Sequence, residues 1–175
     1  GCSLFTKFAM LGEIDSFKKL YLHHTLFMRE TVSLEVAEQY NDVNLDWGDP
    51  ASFNKTLPFE ANDGWYWDGN GAVSGTTWGG CVESIDDMLR HNVPLPPIEA
   101  WQDMVLLLET SEELPSASQV SRVLRALGER GYLKHLRGVL VGRPKAWEFA
   151  TPRTPTEKAM YRSAQRAAVV ETMRA

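Results

Sequence analysis

Glu109 holds the most telling position among the ionisable residues of this 175-residue chain. It directly follows the apolar run Met104-Val105-Leu106-Leu107-Leu108, which has the length of a strand buried on both faces. In open α/β sheets, ligand and catalytic groups collect at the carboxyl ends of such strands. A carboxylate placed there can orient and charge-stabilise a histidine, which in turn activates a serine hydroxyl. A plainer reading stands beside it: Glu109 opens a solvated acidic loop, Glu109-Thr110-Ser111-Glu112-Glu113.

Other candidates carry weaker chemistry. Gly79-Gly80-Cys81 leads towards a helix expected to start at Ser84, and backbone amides freed by paired glycines at a helix entrance can receive an anion or oxyanion. Cys81 as a nucleophile would need a neighbouring base, which the sequence does not name. The stretch Gly69-Asn70-Gly71-Ala72-Val73-Ser74-Gly75 lacks a Walker lysine and misses the dinucleotide spacing, so it reads as turns. No GxSxG elbow occurs. His23 and His24 point about 100° apart on a helix, and with no HExxH or cysteine cluster beside them no metal is expected.

The elements that must position these groups are legible from caps and periodicity. Ile14, Phe17, Leu20, Tyr21, Phe27 and Met28 form one stripe of an amphipathic helix over 14–30. From Glu38 to Gly80 the pattern turns irregular, with Tyr40, Trp47, Phe53, Phe59, Trp65, Tyr66, Trp67 and Trp78 scattered among turn residues. Long irregular stretches of this kind serve as functional loops or connections, and the rings are expected to pin the loop onto a core. Beyond it, Ser84-Ile85-Asp86-Asp87 starts a short helix that Pro94, Pro96 and Pro97 stop. Ser116 or Ser118 caps a helix carrying Val120, Val123, Leu124 and Leu127, closed by Gly128 or Gly131. Gly138 to Gly142 reads as a second short buried strand. Thr154-Pro155-Thr156-Glu157 is a capping box with proline at N1. Strand, helix, strand, helix with short joins predicts an α/β fold with a parallel arrangement.

Composition excludes several classes. Net charge is −5 with a pI near 5.4, and no basic cluster is visible, which argues against a nucleic-acid partner. No apolar run approaches the ~20 residues of a membrane span. Two cysteines, Cys2 and Cys81, make no disulfide framework, so a reducing compartment is expected. The chain opens on Gly1-Cys2-Ser3 without methionine and closes at Ala175 within an expected helix, as a piece of something longer would.

Four segments in order carry a resemblance: Gly75 through Ser84 (GTTWGGCVES), Leu106 through Glu113 (LLLETSEE), Val123 through Leu127, and Gly138 through Pro144. Together they resemble the C-terminal part of the LD-carboxypeptidase family of serine peptidases. Leu45-Asp46-Trp47-Gly48-Asp49-Pro50 and Asn62-Asp63-Gly64-Trp65-Tyr66-Trp67 are similar to the branch that holds the microcin C immunity peptidases. The resemblance implies a mixed, three-layer-like C-terminal α/β domain at 75–175. Before it would come the end of a Rossmann-like nucleophile domain at 1–37 and an aromatic-rich connecting loop at 38–74.

It further implies a cytoplasmic hydrolase with a Ser–His–Glu triad and no metal or other cofactor. The enzyme would cleave an amide bond beside a free carboxylate, in a murein L,D-peptide or a peptide–nucleotide antibiotic. Glu109 takes the place of the triad glutamate, while the serine and histidine would lie outside the chain, leaving these 175 residues inactive without the missing N-terminal segment. Trp47 corresponds to a loop that stacks on a nucleobase in the immunity branch. Cys81 stands where many members place a substrate-side Asn. Glu112 and Glu113 stand where the immunity type carries Lys, and an acidic pair there would repel a phosphate-like group. A homodimer is common in such families. From a different class, a non-catalytic module could use the Trp-rich loop to bind a nucleotide, glycan or peptide.

Overall fold

Two capping boxes start the longer helices, as their sequences require. In the computed structural model, which describes residues 36–175, the Ser116 hydroxyl accepts the Gln119 N–H while the Gln119 side chain accepts the Ser116 N–H. Thr154 and Glu157 make the same reciprocal pair, with Pro155 behind them. Each box satisfies backbone donors that would otherwise be orphaned in the first turn. The first of these helices runs Ala117–Glu129 and the second Pro155–Arg174. The former ends on Gly131, whose φ of +84° allows Tyr132 N–H to reach Leu127 C=O and Gly131 N–H to reach Gly128 C=O.

The chain clusters into two units, Gly1–Tyr66 and Trp67–Ala175. In the first, β1 (Gln39–Tyr40) pairs antiparallel with β2 (Glu60–Ala61). Polar side chains close its turns. Asp46 accepts Gly48 N–H at 2.8 Å, Asn62 donates to Ala37 C=O at 2.7 Å, and Asp49 caps the 3₁₀ helix Pro50–Asn54 through Ala51 N–H. The Asp49 carboxylate also pairs with Lys55 at 2.7 Å, and chiefly for that reason titrates below the usual range. The expected pinning of rings onto a core does not occur here: Trp47, Phe53, Phe59, Trp65 and Tyr66 are all exposed. Polar bonds, some within turns and some between β1 and β2 and their flanks, tie this segment.

In the second unit, β3 (Thr76–Cys81), β4 (Met104–Glu109) and β5 (Gly138–Val141) form a parallel sheet in the order β3-β4-β5. Helix α1 (Val82–Arg90) joins the first two strands, and α2 (Ala117–Glu129) joins the next two. Helix α3 (Pro155–Arg174) packs on α2. Helix α1 departs from expectation by starting at Val82, so that Cys81 rather than Ser84 occupies the N-cap position, without a side-chain cap. The strand ends at Cys81 and the helix begins at once, leaving no room for a separate capping turn.

The core lies on one side of the sheet. Leu106 and Leu108 of β4 are buried against Ile85, Leu89, Val120, Leu124 and Leu127 from α1 and α2. Each such side chain contributes on the order of 1.5–3 kcal/mol relative to exposure. Trp101, fully buried in the 3₁₀ helix Ile98–Asp103, stacks between Trp78 at 4.8 Å and Tyr132 at 4.6 Å, and its Nε1–H is donated to Pro96 C=O.

The alternate residues of β4 correct the expectation of a strand buried on both faces. Val105 is buried, but Leu107 is 42% exposed and Glu109 is exposed as well. On β5, Leu140 and Val141 are likewise exposed. Alternation sends successive side chains to opposite faces: Leu107 and its register partner Leu140 share the face the helices leave open, whereas Val141 lies on the other face, exposed at the last position of β5, the outer strand of the described sheet. The expected helix over 14–30, with His23 and His24, lies outside the described residues, as does Cys2.

Candidate functional site

Parallel pairing brings the candidate groups of the second unit to one edge. The β3–β4 register sets Thr76 opposite Met104 and Cys81 opposite Glu109, so both strands deliver their last residues side by side at the carboxyl end. The close approach depends on Gly79. Its φ is +136°, and a Cβ there would run into the Leu107 carbonyl oxygen. Gly80 follows at φ +148°, and two consecutive glycines in this region turn the chain directly into α1.

Glu109 stands at the exit of β4, exposed, with no hydrogen bond or ion pair to its carboxylate among the described residues. On its other side Gly142 follows β5 and donates its N–H to Leu108 C=O at 2.7 Å. A Cβ on Gly142 would lie 3.6 Å from the Glu109 Cβ, so glycine leaves a gap beside the acid. An accessible carboxylate held at its backbone and unengaged at its oxygens suits the orientation of an imidazole.

Cys81 is half-buried, and its thiol donates to Glu83 at 3.0 Å. Burial first, then that hydrogen bond, pushes the Cys81 thiol up from its ordinary range. It is therefore a protonated donor at neutral pH, not a nucleophile. Glu83 sits in the first turn of α1, where a negative charge is favoured by the helix dipole. Burial alone would raise its pKa, but hydrogen bonds from Cys81 and Ser111 outweigh that, and it titrates below the usual carboxylate range.

Glu83 and Ser111 were missed at the level of sequence. Ser111 lay within the acidic loop, and Glu83 lay just ahead of the helix expected to start at Ser84; their pairing spans 28 positions, and no local signal announces it. Trp47 belongs to the other unit, where it is 59% exposed in the turn before the Pro50–Asn54 helix. Among the described residues, no three His, Cys, Asp or Glu side chains gather closely enough to hold a metal ion, and no helix is long and apolar enough to cross a membrane.

Comparison with known proteins bears on the second unit above all. Residues 74–174 match the LD-carboxypeptidase C-terminal domain. No curated protein matches the sequence. Among solved structures, the chain is similar to an MccF-like protein from Streptococcus pneumoniae in complex with AMP, at 20% identity and a TM-score of 0.73, over 91% of this chain and 46% of that one. It is also similar to the microcin C7 self-immunity protein MccF in complex with aspartyl sulfamoyl adenosine, at 15% identity and a TM-score of 0.58, over 92% and 46% of the two chains. The chain thus spans about half the length of the solved structures it matches. The matched domain contains the whole β3-β4-β5 sheet, its three helices and the edge that carries Cys81 and Glu109, and by that match the chain belongs to the LD-carboxypeptidase family, as its C-terminal part.

Proposed function

We propose that Glu109 is the carboxylate of a Ser–His–Glu triad in a serine peptidase that cleaves an amide bond next to a free carboxylate. The observation that carries this reading is the position of Glu109. It is an exposed acid with no partner among the described residues, at the carboxyl end of the central strand of a parallel sheet, in the domain that matches the family. Its role is to hold the imidazole in the useful tautomer and to stabilise the imidazolium that forms when the serine is deprotonated. On this reading the serine and the histidine are supplied from outside the 175-residue chain, which is inactive by itself.

The substrate is a small peptide or peptide–nucleotide. The neighbours bound to AMP and to aspartyl sulfamoyl adenosine support the second class, with Trp47 as a stacking surface for the base and Cys81 as a substrate-side residue whose sulfur is left to accept, its proton being donated to Glu83. Murein L,D-peptides are the other class, favoured by the exposed acidic pair Glu112 and Glu113 near the site, which disfavours a phosphate-like group. The enzyme works in the cytoplasm, as a homodimer. The test is turnover of an L,D-tetrapeptide and of an aminoacyl sulfamoyl adenosine by the intact enzyme. Glu109→Gln should lower kcat about 10⁴-fold with little change in KM; near-normal turnover by that variant removes Glu109 from the triad.

The exposure of Trp47, Trp65 and Tyr66 favours a second reading, a binding module without catalysis. In that case AMP titration quenches Trp fluorescence, Trp47→Ala abolishes the response, and Glu109→Gln changes nothing.

A further inference from the structure

Glu83 is an acid that the triad does not use, yet it reaches the loop that follows Glu109. One oxygen accepts the Ser111 hydroxyl proton at 2.6 Å, and the Ser111 backbone N–H lies 3.2 and 3.3 Å from the two oxygens. The second oxygen also accepts the Cys81 thiol at 3.0 Å. Ser111 in turn accepts the Glu113 N–H on its hydroxyl oxygen at 3.1 Å. One carboxylate therefore ties the N-terminal turn of α1 to the peptide two residues past Glu109.

Side chains fasten that loop at both ends: Glu83 at Ser111, and Tyr161 and Gln165 of α3, which donate to Pro115 C=O at 2.7 and 2.5 Å; the stretch next to Glu109 has Glu83. The Thr110 hydroxyl, between Glu109 and Ser111, is buried without a hydrogen-bond partner. Leu114 holds a φ of +54°, a left-handed conformation uncommon for a leucine, and its N–H meets Ser111 C=O only at 3.4 Å. Strain of that kind persists where neighbouring bonds impose it, and Leu114 lies between the Glu83–Ser111 bonds and the Tyr161 and Gln165 bonds to Pro115. An ionised acceptor roughly doubles the strength of such hydrogen bonds.

We propose that Glu83 is a positioning residue for Glu109: by holding the backbone and hydroxyl of Ser111, it sets the direction in which the chain leaves β4 and so the aim of the Glu109 carboxylate. This rests on the reading of Glu109 as the triad acid. Misplacement of a catalytic group by about 1 Å can cost on the order of 100-fold in rate, so a tether of this kind acts on turnover more than on substrate binding.

The test compares variants of the intact enzyme on whichever of the two substrates above it turns over. Glu83→Ala should lower kcat about 10- to 100-fold with KM nearly unchanged. Glu83→Gln keeps a carbonyl oxygen for Ser111 and should restore most of that loss. Ser111→Ala, a small change that keeps the fold if Glu83→Ala does not, should lower kcat in the same way, and the double variant should be no worse than the single ones. In the 175-residue chain itself, the Ser111 amide should exchange with solvent faster after Glu83→Ala. Normal kcat in both Glu83→Ala and Ser111→Ala, or equal effects on kcat and KM, overturns the proposal while Glu109→Gln remains inactive. If Glu109→Gln is active, the triad reading itself falls, and the positioning role falls with it.

Discussion

Two groups of aromatic residues in this chain meet opposite fates. Trp78, Trp101 and Tyr132 stack at 4.6–4.8 Å under the sheet, with Trp101 fully buried. Trp47, Phe53, Phe59, Trp65 and Tyr66 lie exposed, in a segment tied by Asp46 and Asp49 to backbone two residues on and by Asn62 to Ala37 C=O. The first group sits among residues that already alternate or recur with a helical period, so each ring finds apolar partners delivered by a regular element. The second group sits in a segment whose regular elements are two-residue strands and one short 3₁₀ helix. The buried rings are scaffold; the exposed ones add no burial to the fold. Ring content alone does not separate the two roles; the regularity of the neighbouring chain does.

Substitutions can break this contrast. The largest effect on stability is expected at the buried stack: Trp101→Ala should cost about 3–5 kcal/mol, measured by urea denaturation of the 175-residue chain. A loss below about 1 kcal/mol would mean that Trp101 is not the packing centre that its burial indicates. Next comes Gly79→Ala, which places a methyl group against the Leu107 carbonyl in a conformation that alanine resists. It should destabilise by about 2–4 kcal/mol, and the loss should appear as a lower thermal midpoint and faster amide exchange along β3 and β4. An unchanged midpoint would show that the two strands can separate at no cost, and the edge that carries Cys81 and Glu109 would then not be rigid.

Smaller effects test the local signals. Thr154→Ala removes the N-cap of α3 and should cost about 1 kcal/mol, read from the denaturation midpoint; Thr154→Ser should recover most of it. The smallest effect belongs to the exposed group. Trp47→Ala should change stability by no more than about 0.5 kcal/mol, and any larger loss would show that the exposed rings do hold their segment together. The same variant should weaken binding of AMP if Trp47 is a stacking surface, which separates a contact role from a packing one.

How much of this was legible in advance varied with distance along the chain. The capping box at Thr154 and the strand that ends at Glu109 emerged where local patterns placed them; of the alternatives Ser116 or Ser118 and Gly128 or Gly131, Ser116 is the cap and Gly131 the left-handed exit. The start of α1 at Val82 rather than near Ser84 did not, because a good capping residue loses when the preceding strand already aims the backbone into the helix. Leu107, Leu140 and Val141 read as core and are exposed: an apolar strand records that a face can be buried, not what covers it. Of the site, Glu109 was legible from its place after the apolar run, whereas Glu83 and Ser111, 28 residues apart, were not.

The sequence by itself determined the elements, their order and the acid at the end of the central strand, because caps, turns and periodicity are interactions among residues within about one or two helical turns. Only the tertiary structure decided which face of the sheet is covered, which tryptophans are scaffold, and which carboxylate braces the loop beyond Glu109. Those outcomes depend on parallel pairing, which sets Cys81 beside Glu109 and brings the start of α1 to the loop after β4. No local preference encodes contacts between residues that far apart, and they form only when the whole sheet registers.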